Sequence, residues 1–275
     1  MTQYAGLISR VVTSVILISV LVLAIFSFPQ WLWGLLLLIP LAMTACEYSR
    51  LFGWSRQRVV IFVLLCVAIC SLPFLLFARF GAVLNAVATL MCWLAVLFWM
   101  FLVPFLIRYR LSTRSYVPNV LMGVLLIVPV WYVLVALQLQ PYGLFFVLSG
   151  VWLVDIGGYV FGKSLGKTKL LPSISPGKTI EGVLGGLFVL AVYALLLRLF
   201  YEDVFLELGW ILFGVLILSF TMICVVGDLF ESYLKRVSGV KDSGAILPGH
   251  GGLLDRVDSM TALLPFSFLV MQIFY

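Results

Sequence analysis

The chain has 275 residues, 64% hydrophobic and only 10% charged, with a mean hydropathy of +1.22. A soluble domain is about 45–50% apolar and about 25% charged, so this chain has too few charged side chains to cover a water-exposed surface. A soluble enzyme, a disordered protein and a disulfide scaffold are excluded, and the composition is that of an integral membrane protein. The formal net charge of +6 matters less than where the positive residues fall.

In chain order, apolar runs at 11–28, 31–46, 59–77, 81–107, 117–137, 141–161, 180–200, 206–227 and 257–275 predict about nine transmembrane helices, each of roughly the length that crosses a bilayer. They must be helical, because lipid offers no partner to a free backbone N–H or C=O. The first run has no small-x-small cleavage site, so it reads as a retained helix rather than a signal peptide. Cys46, Cys66, Cys70, Cys92 and Cys224 all sit inside apolar runs and none forms a C-x-x-C pair, which marks them as small hydrophobes. The single His250 cannot build a zinc site alone.

The basic residues fall on alternate sides of these runs. One side receives Arg10, then Arg50, Arg56 and Arg58, then Arg108, Arg110 and Arg114. It also receives Lys163, Lys167, Lys169 and Lys178, and finally Lys235, Arg236, Lys241 and Arg256. The other side holds only Arg79 and Arg198, with the acidic turn Glu202, Asp203 and Glu207. The positive-inside rule puts the basic side and the N-terminus in the cytoplasm and the C-terminus outside. The expected fold is an all-α polytopic membrane protein.

Acidic residues divide the chain differently. Glu47 is the one acid before Asp155, and all the others lie between Asp155 and Asp258. Ionisable groups at membrane depth are costly and mark function. Residues 1–140 therefore read as transmembrane scaffold and 141–275 as a catalytic region of the same membrane domain.

Three polar segments carry the candidate chemistry. In the first, Gly157 and Gly162-Lys163-Ser164 match the P-loop spacing, but they continue a membrane span instead of following a buried strand, so the match is a decoy. Lys163, Lys167 and Lys169 also fit a plain cytoplasmic loop. Further on, Ser175-Pro176 predicts a helix start with serine as N-cap, leaving Lys178 and Thr179 beside free backbone N–H groups that suit a phosphate.

In the second segment Asp228, Glu231, Ser232 and Lys235 fall at i, i+3, i+4 and i+7, on one helical face continuing a span. A salt-bridged surface face would give the same spacing. The third, Lys241 to Ser259, has a Gly- and Pro-rich loop that lets backbone approach a ligand closely. It is followed by Asp255, Asp258 and Ser259 at i, i+3 and i+4. Helix capping alone would account for Asp255, and a buried structural role for His250.

Together, carboxylates on two helices suit Mg²⁺ held with substrate phosphates, and basic groups with bare amides suit phosphate oxygens. Two metals would assist both the attacking and the leaving oxygen. The residues thus point to phosphoryl or nucleotidyl transfer at the cytoplasmic membrane face.

The run SYLKRVSGVKDSGAILPGHGGLLDRVD, Ser232 to Asp258, resembles the signature of the phosphatidate cytidylyltransferases, or CDP-diacylglycerol synthases. The likeness extends through Lys169-Leu170, Ser175-Pro176-Gly177-Lys178-Thr179 and Glu181-Gly182. It implies transfer of the cytidylyl group of CTP to phosphatidic acid in a bacterial cytoplasmic (inner) membrane, giving CDP-diacylglycerol and pyrophosphate.

By the same resemblance Asp228 and Asp255 bind Mg²⁺, with a second cation alongside. Lys235, Arg236, Lys241 and Arg256 hold phosphates, and Asp258 and Ser232 line the site. Asp228, Lys235, Arg236, Asp255 and Asp258 are then the catalytic set. Lys169, Ser175, Lys178, Thr179, Asp242, His250, Gly251 and Gly252 are motif positions of the substrate-binding surface. A homodimer is expected on the resemblance alone, and no nucleic-acid partner is expected.

The chain departs from the family at Asp155-Ile156-Gly157-Gly158-Tyr159. The family often has a small or hydroxylated residue where Ile156 stands, and Ile156 donates no hydrogen bond. Two rival classes remain. A CTP-dependent polyprenol or phytol kinase needs the same metal and nucleotide but releases CDP. An ion-coupled transporter would use Asp155 and Asp228 as intramembrane ion sites, but the polarity confined to one half of the chain speaks against matching repeats.

Overall fold

The structure, a computed structural model, describes residues 16, 18–77, 81–109, 115–200, 209–244 and 251–274. The first half comprises α1 (Ile18–Ser27), α2 (Gln30–Leu36), α3 (Leu38–Leu51), α4 (Arg56–Phe77), α5 (Gly81–Leu97), a π-helical turn (Phe98–Leu102), α6 (Val103–Tyr109) and α7 (Tyr116–Leu137). The second half comprises α8 (Pro141–Leu165), strands β1 (Lys169–Leu171) and β2 (Ser175–Thr179), α9 (Ile180–Phe200), α10 (Trp210–Val237) and α11 (Leu254–Phe274).

Every predicted apolar segment is helical where it is described. Among the described residues, seven helices are long and apolar enough to cross a membrane, against the nine expected: 30–51, 56–75, 82–109, 116–137, 141–165, 180–200 and 210–237. The first predicted span lies largely outside the described residues and shows only the short α1. The last is α11, whose opening turn carries Asp255, Arg256 and Asp258.

Two irregularities coincide with prolines. The break at Leu37 lies three residues before Pro40, and the π turn runs up to Val103, beside Pro104. A proline removes one N–H from the helical ladder and forces such adjustments. The π turn buries Phe98 and Trp99, whose rings meet Phe230 of α10 edge-on at 5.8 and 5.4 Å. Trp99 Nε1 also donates to the Thr261 carbonyl of α11 at 3.1 Å. The scaffold thus grips both helices that carry the third and second polar segments.

The core runs through α7, packed against α3, α4, α5 and α11. At one end Tyr48, Phe52, Trp54, Phe62 and Tyr116 form an aromatic cluster, and the Arg58 guanidinium lies over the Tyr116 ring. At the other end of α9, Arg198 stacks over Trp210 and Phe213. Helix α8 packs on α9 through glycines: a Cβ at Gly182 would come 2.8 Å from the Gly158 carbonyl oxygen, and one at Gly186 would come 2.9 Å from that of Val154. Small residues at helix contacts allow this close approach within a membrane.

One prediction fails. Ser175 and Pro176 do not open a helix. They lie in β2, which pairs antiparallel with β1 in the register Lys169↔Thr179 and Leu171↔Ser175. The helix begins at Ile180, and the cap is Thr179, whose Oγ1 accepts from the Gly182 N–H at 3.1 Å. Serine and proline suit an edge strand as well as a helix start, and the strand partner Leu171, four residues before Ser175, settles the choice.

Candidate active site

Helix α10 continues unbroken through the polar face read from the sequence. Asp228 lies about 14 Å along the helix from its C-terminal residue, at 1.5 Å per residue. Gly227 makes room for α11: a Cβ there would stand 2.8 Å from the Asp258 carbonyl oxygen and 2.9 Å from Ser259 Cα. The two acidic helices therefore cross with almost no gap, and the carboxylates of Asp228 and Asp258 interact electrostatically, joined by Asp155 from α8. Lys178 of β2 forms an ion pair with Asp228, and Arg256 acts on Asp155.

Nearer the end of α10, Lys235 lies between Glu231 at 2.5 Å and Asp255 at 2.9 Å. Asp255 also accepts from the N–H groups of Ser243, at 3.3 Å, and Gly252, at 3.0 Å. Asp255 thus ties α10 to both described ends of the glycine-rich loop. Arg236 Nε donates to the Ile174 carbonyl at 3.2 Å, so the hairpin is fastened to α10 at its turn by Arg236 and along β2 by Lys178. Glu181 accepts from the Thr168 N–H through both oxygens at 3.1 Å, closing the base of the hairpin.

The expected site residues sort into groups. Asp155, Asp228, Asp258, Lys178 and Arg256 come together, and Lys235 with Asp255 forms the adjoining cluster. Ser232 is half-buried on the same helix, and Thr179 is spent on capping. Lys169, Lys241 and Asp242 are exposed. Gly251 has a φ of 81°, in the left-handed region that favours glycine. His250 lies outside the described residues. The P-loop look-alike from Gly157 to Ser164 is continuous α8 helix, without the preceding strand such a loop needs.

Two participants were not singled out from the sequence. Glu231, which the helical spacing places on the site face but which the resemblance gives no role, is buried rather than part of a solvated surface pair. Glu47 was assigned to scaffold, yet its fully buried carboxylate accepts from the Leu254 N–H at 2.8 Å and the Ser243 hydroxyl at 3.4 Å. Its only sequence signal was being a lone acid in an apolar half.

Among the described residues no three acidic, thiol or imidazole groups converge into a ready-made metal cage. Five carboxylates (Asp155, Asp228, Glu231, Asp255 and Asp258) nevertheless face three basic groups (Lys178, Lys235 and Arg256). Like charges at low dielectric repel strongly, so this surplus suits a cation of the kind bound by one or two carboxylates and completed by substrate phosphates.

Basic side chains and carboxylates gather beside a glycine-rich loop in a polytopic, helical membrane protein. The chain belongs to the cytidylyltransferase family, whose model matches residues 8–274. It is 35% identical over 267 residues to the phosphatidate cytidylyltransferase of Pseudomonas aeruginosa, covering 93% of each chain. It is 32% identical over 278 residues to that of Haemophilus influenzae, covering 94% of this chain and 96% of the relative. Over 140 residues, half of each chain, it is 44% identical to that of Bacillus subtilis.

Proposed function

We propose that this chain transfers the cytidylyl group of CTP to phosphatidic acid, giving CDP-diacylglycerol and pyrophosphate. The observation that carries the reading is the ion pair of Lys178 with Asp228, beside the cluster of Lys235 with Asp255 in the segment Ser232 to Asp258 that bears the family signature. A phosphate oxygen of the lipid attacks the α-phosphorus of CTP. The bond from that phosphorus to the bridging oxygen breaks, and pyrophosphate leaves with the electron pair. The lipid phosphate is already anionic, so no protein nucleophile is required, and the work left is positioning and charge stabilisation.

Asp228, with Asp258 of the crossing helix α11, would hold Mg²⁺ together with substrate phosphates. When bound, the ion neutralises phosphate charge and favours departure of pyrophosphate. Of the two carboxylates expected to be ligands, Asp255 is engaged by Lys235 and two backbone N–H groups, an arrangement suited to fixing the loop beside the metal. A second cation would sit within the same surplus of carboxylates. Lys178, on a hairpin, exchanges its carboxylate partner for CTP phosphates, while Lys235, Arg236, Lys241 and Arg256 supply further positive charge.

The reading extends to a bacterial inner membrane with this face to the cytoplasm, an orientation supported by the basic residues at the ends of the spans. A homodimer remains part of the proposal on family resemblance. The test is purified protein in detergent with radiolabelled CTP, phosphatidic acid and Mg²⁺. Lipid-extractable label with equimolar pyrophosphate, abolished by EDTA, is the expected result. Release of CDP with a prenol acceptor, and no label in phosphatidic acid, would replace it with the kinase reading.

A further inference from the structure

Glu47 sits near the end of α3, in the half read as scaffold, yet among the described residues its carboxylate hydrogen-bonds only to the loop and helix that carry the signature. Oε2 accepts from the Leu254 N–H at 2.8 Å and from the Ser243 hydroxyl at 3.4 Å. Oε1 lies against Gly244 and has no hydrogen-bond partner among the described residues. The loop accommodates this carboxylate by having no side chains where it passes. A Cβ at Gly244 would land inside the van der Waals shell of Oε1, and one at Gly252 would stand 2.8 Å from Oε2. Glycines that suggested close approach to a ligand instead admit a side chain of the protein itself.

The anchor is rigid. Neighbouring Tyr48 is fully buried, donates to the Asn119 carbonyl at 2.8 Å and packs on Phe62 at 5.7 Å between ring centres. A buried carboxylate is expensive in a membrane protein, and among the described residues Glu47 has no ion-pair partner. Here its acceptor satisfies the first N–H of α11, one of the donors that a helix start leaves without an internal partner, and its charge lies at the favourable helix end. Glu47 therefore fixes where α11 begins, and with it the places of Asp255, Arg256 and Asp258.

We propose that Glu47 is a positioning residue of the catalytic centre, a clamp from the scaffold half that closes the loop against Asp255 and sets the register of α11. The proposal rests on the cytidylyltransferase reading for its kinetic consequence, though not for its structural one. Glu47→Gln and, from the opposite side of the same contact, Gly244→Ala are compared with the full-length protein in detergent.

Both variants should lose roughly tenfold to a hundredfold in kcat, with a smaller change in KM for CTP, since misplacement of reacting groups by about an ångström costs that much. Amide hydrogen exchange should accelerate at residues 239–244 and 251–256 and stay unchanged across Tyr116–Leu137. Glu47→Asp, which keeps the charge but shortens the reach, should recover part of the rate. Unchanged kcat and unchanged loop exchange in both variants would overturn the clamp. So would exchange that rises equally in α7, because that is general destabilisation. If the unaltered protein fails to label phosphatidic acid, the functional reading falls, while the exchange data still decide whether Glu47 holds the loop.

Discussion

The two halves of this bundle solve the same problem with different groups. In the scaffold, neutral donors reach into backbone carbonyls of neighbouring helices: Trp33 to Leu134 at 2.9 Å, Trp131 to Gly34 at 3.0 Å and Tyr132 to Ile69 at 2.7 Å. Each leaves a large ring buried and an N–H or O–H satisfied. In the second half, helices approach through glycine contacts, and the polar groups are charged and paired: Lys178 with Asp228, and Lys235 with Glu231 and Asp255. Neutral bonds suffice to fix geometry, whereas a site for phosphates must keep full charges within the membrane region and balance them until substrate arrives. Glu47 is where the two designs meet, a charge from the scaffold used as a brace.

The largest expected effect that sharpens this contrast is at Asp228. Asp228→Asn should lower cytidylyl transfer by at least about a hundredfold, the scale of losing electrostatic stabilisation at a reacting centre. Circular dichroism should show its helices intact. Retention of more than about a tenth of the rate would remove Asp228 from the metal-binding role.

Next comes Lys235→Met, which leaves Glu231 and Asp255 without their shared cation. Breaking a buried pair by removing one partner costs about 3–5 kcal/mol, so thermal unfolding in detergent should begin at distinctly lower temperature. Adding Glu231→Gln should restore part of the loss; no recovery would mean that Lys235 acts only on substrate.

A smaller effect is expected from Gly186→Val in the α8–α9 contact. Its added bulk meets the Val154 carbonyl 2.9 Å from the Cβ position, for a loss of about 1–3 kcal/mol from overpacking. The unfolding midpoint measures it, and an unchanged midpoint would show the two helices free to separate. Smallest of all is Arg50→Gln on the exposed end of α3. A surface substitution of this kind stays within about 0.5 kcal/mol, and turnover should remain near that of the unaltered chain. A large loss would mean that the scaffold end contributes more to the site than Glu47.

The residues alone were enough to establish the membrane class and the helical segments. Lipid permits no unsatisfied backbone and no idle charge, so apolar runs and isolated acids report directly on structure. The i, i+3, i+7 spacing likewise placed Asp228, Glu231 and Lys235 on one face before any fold was known. Tertiary structure decided what local pattern leaves open. Ser175-Pro176 became a strand because β1 is there to pair with it, and Asp228 and Asp258 act on each other because Gly227 lets α11 come close. Glu47 became part of the site through a hydrogen bond to a residue 207 positions away. No periodicity records such a contact: it depends on how whole helices pack, and packing is a property of the assembled bundle.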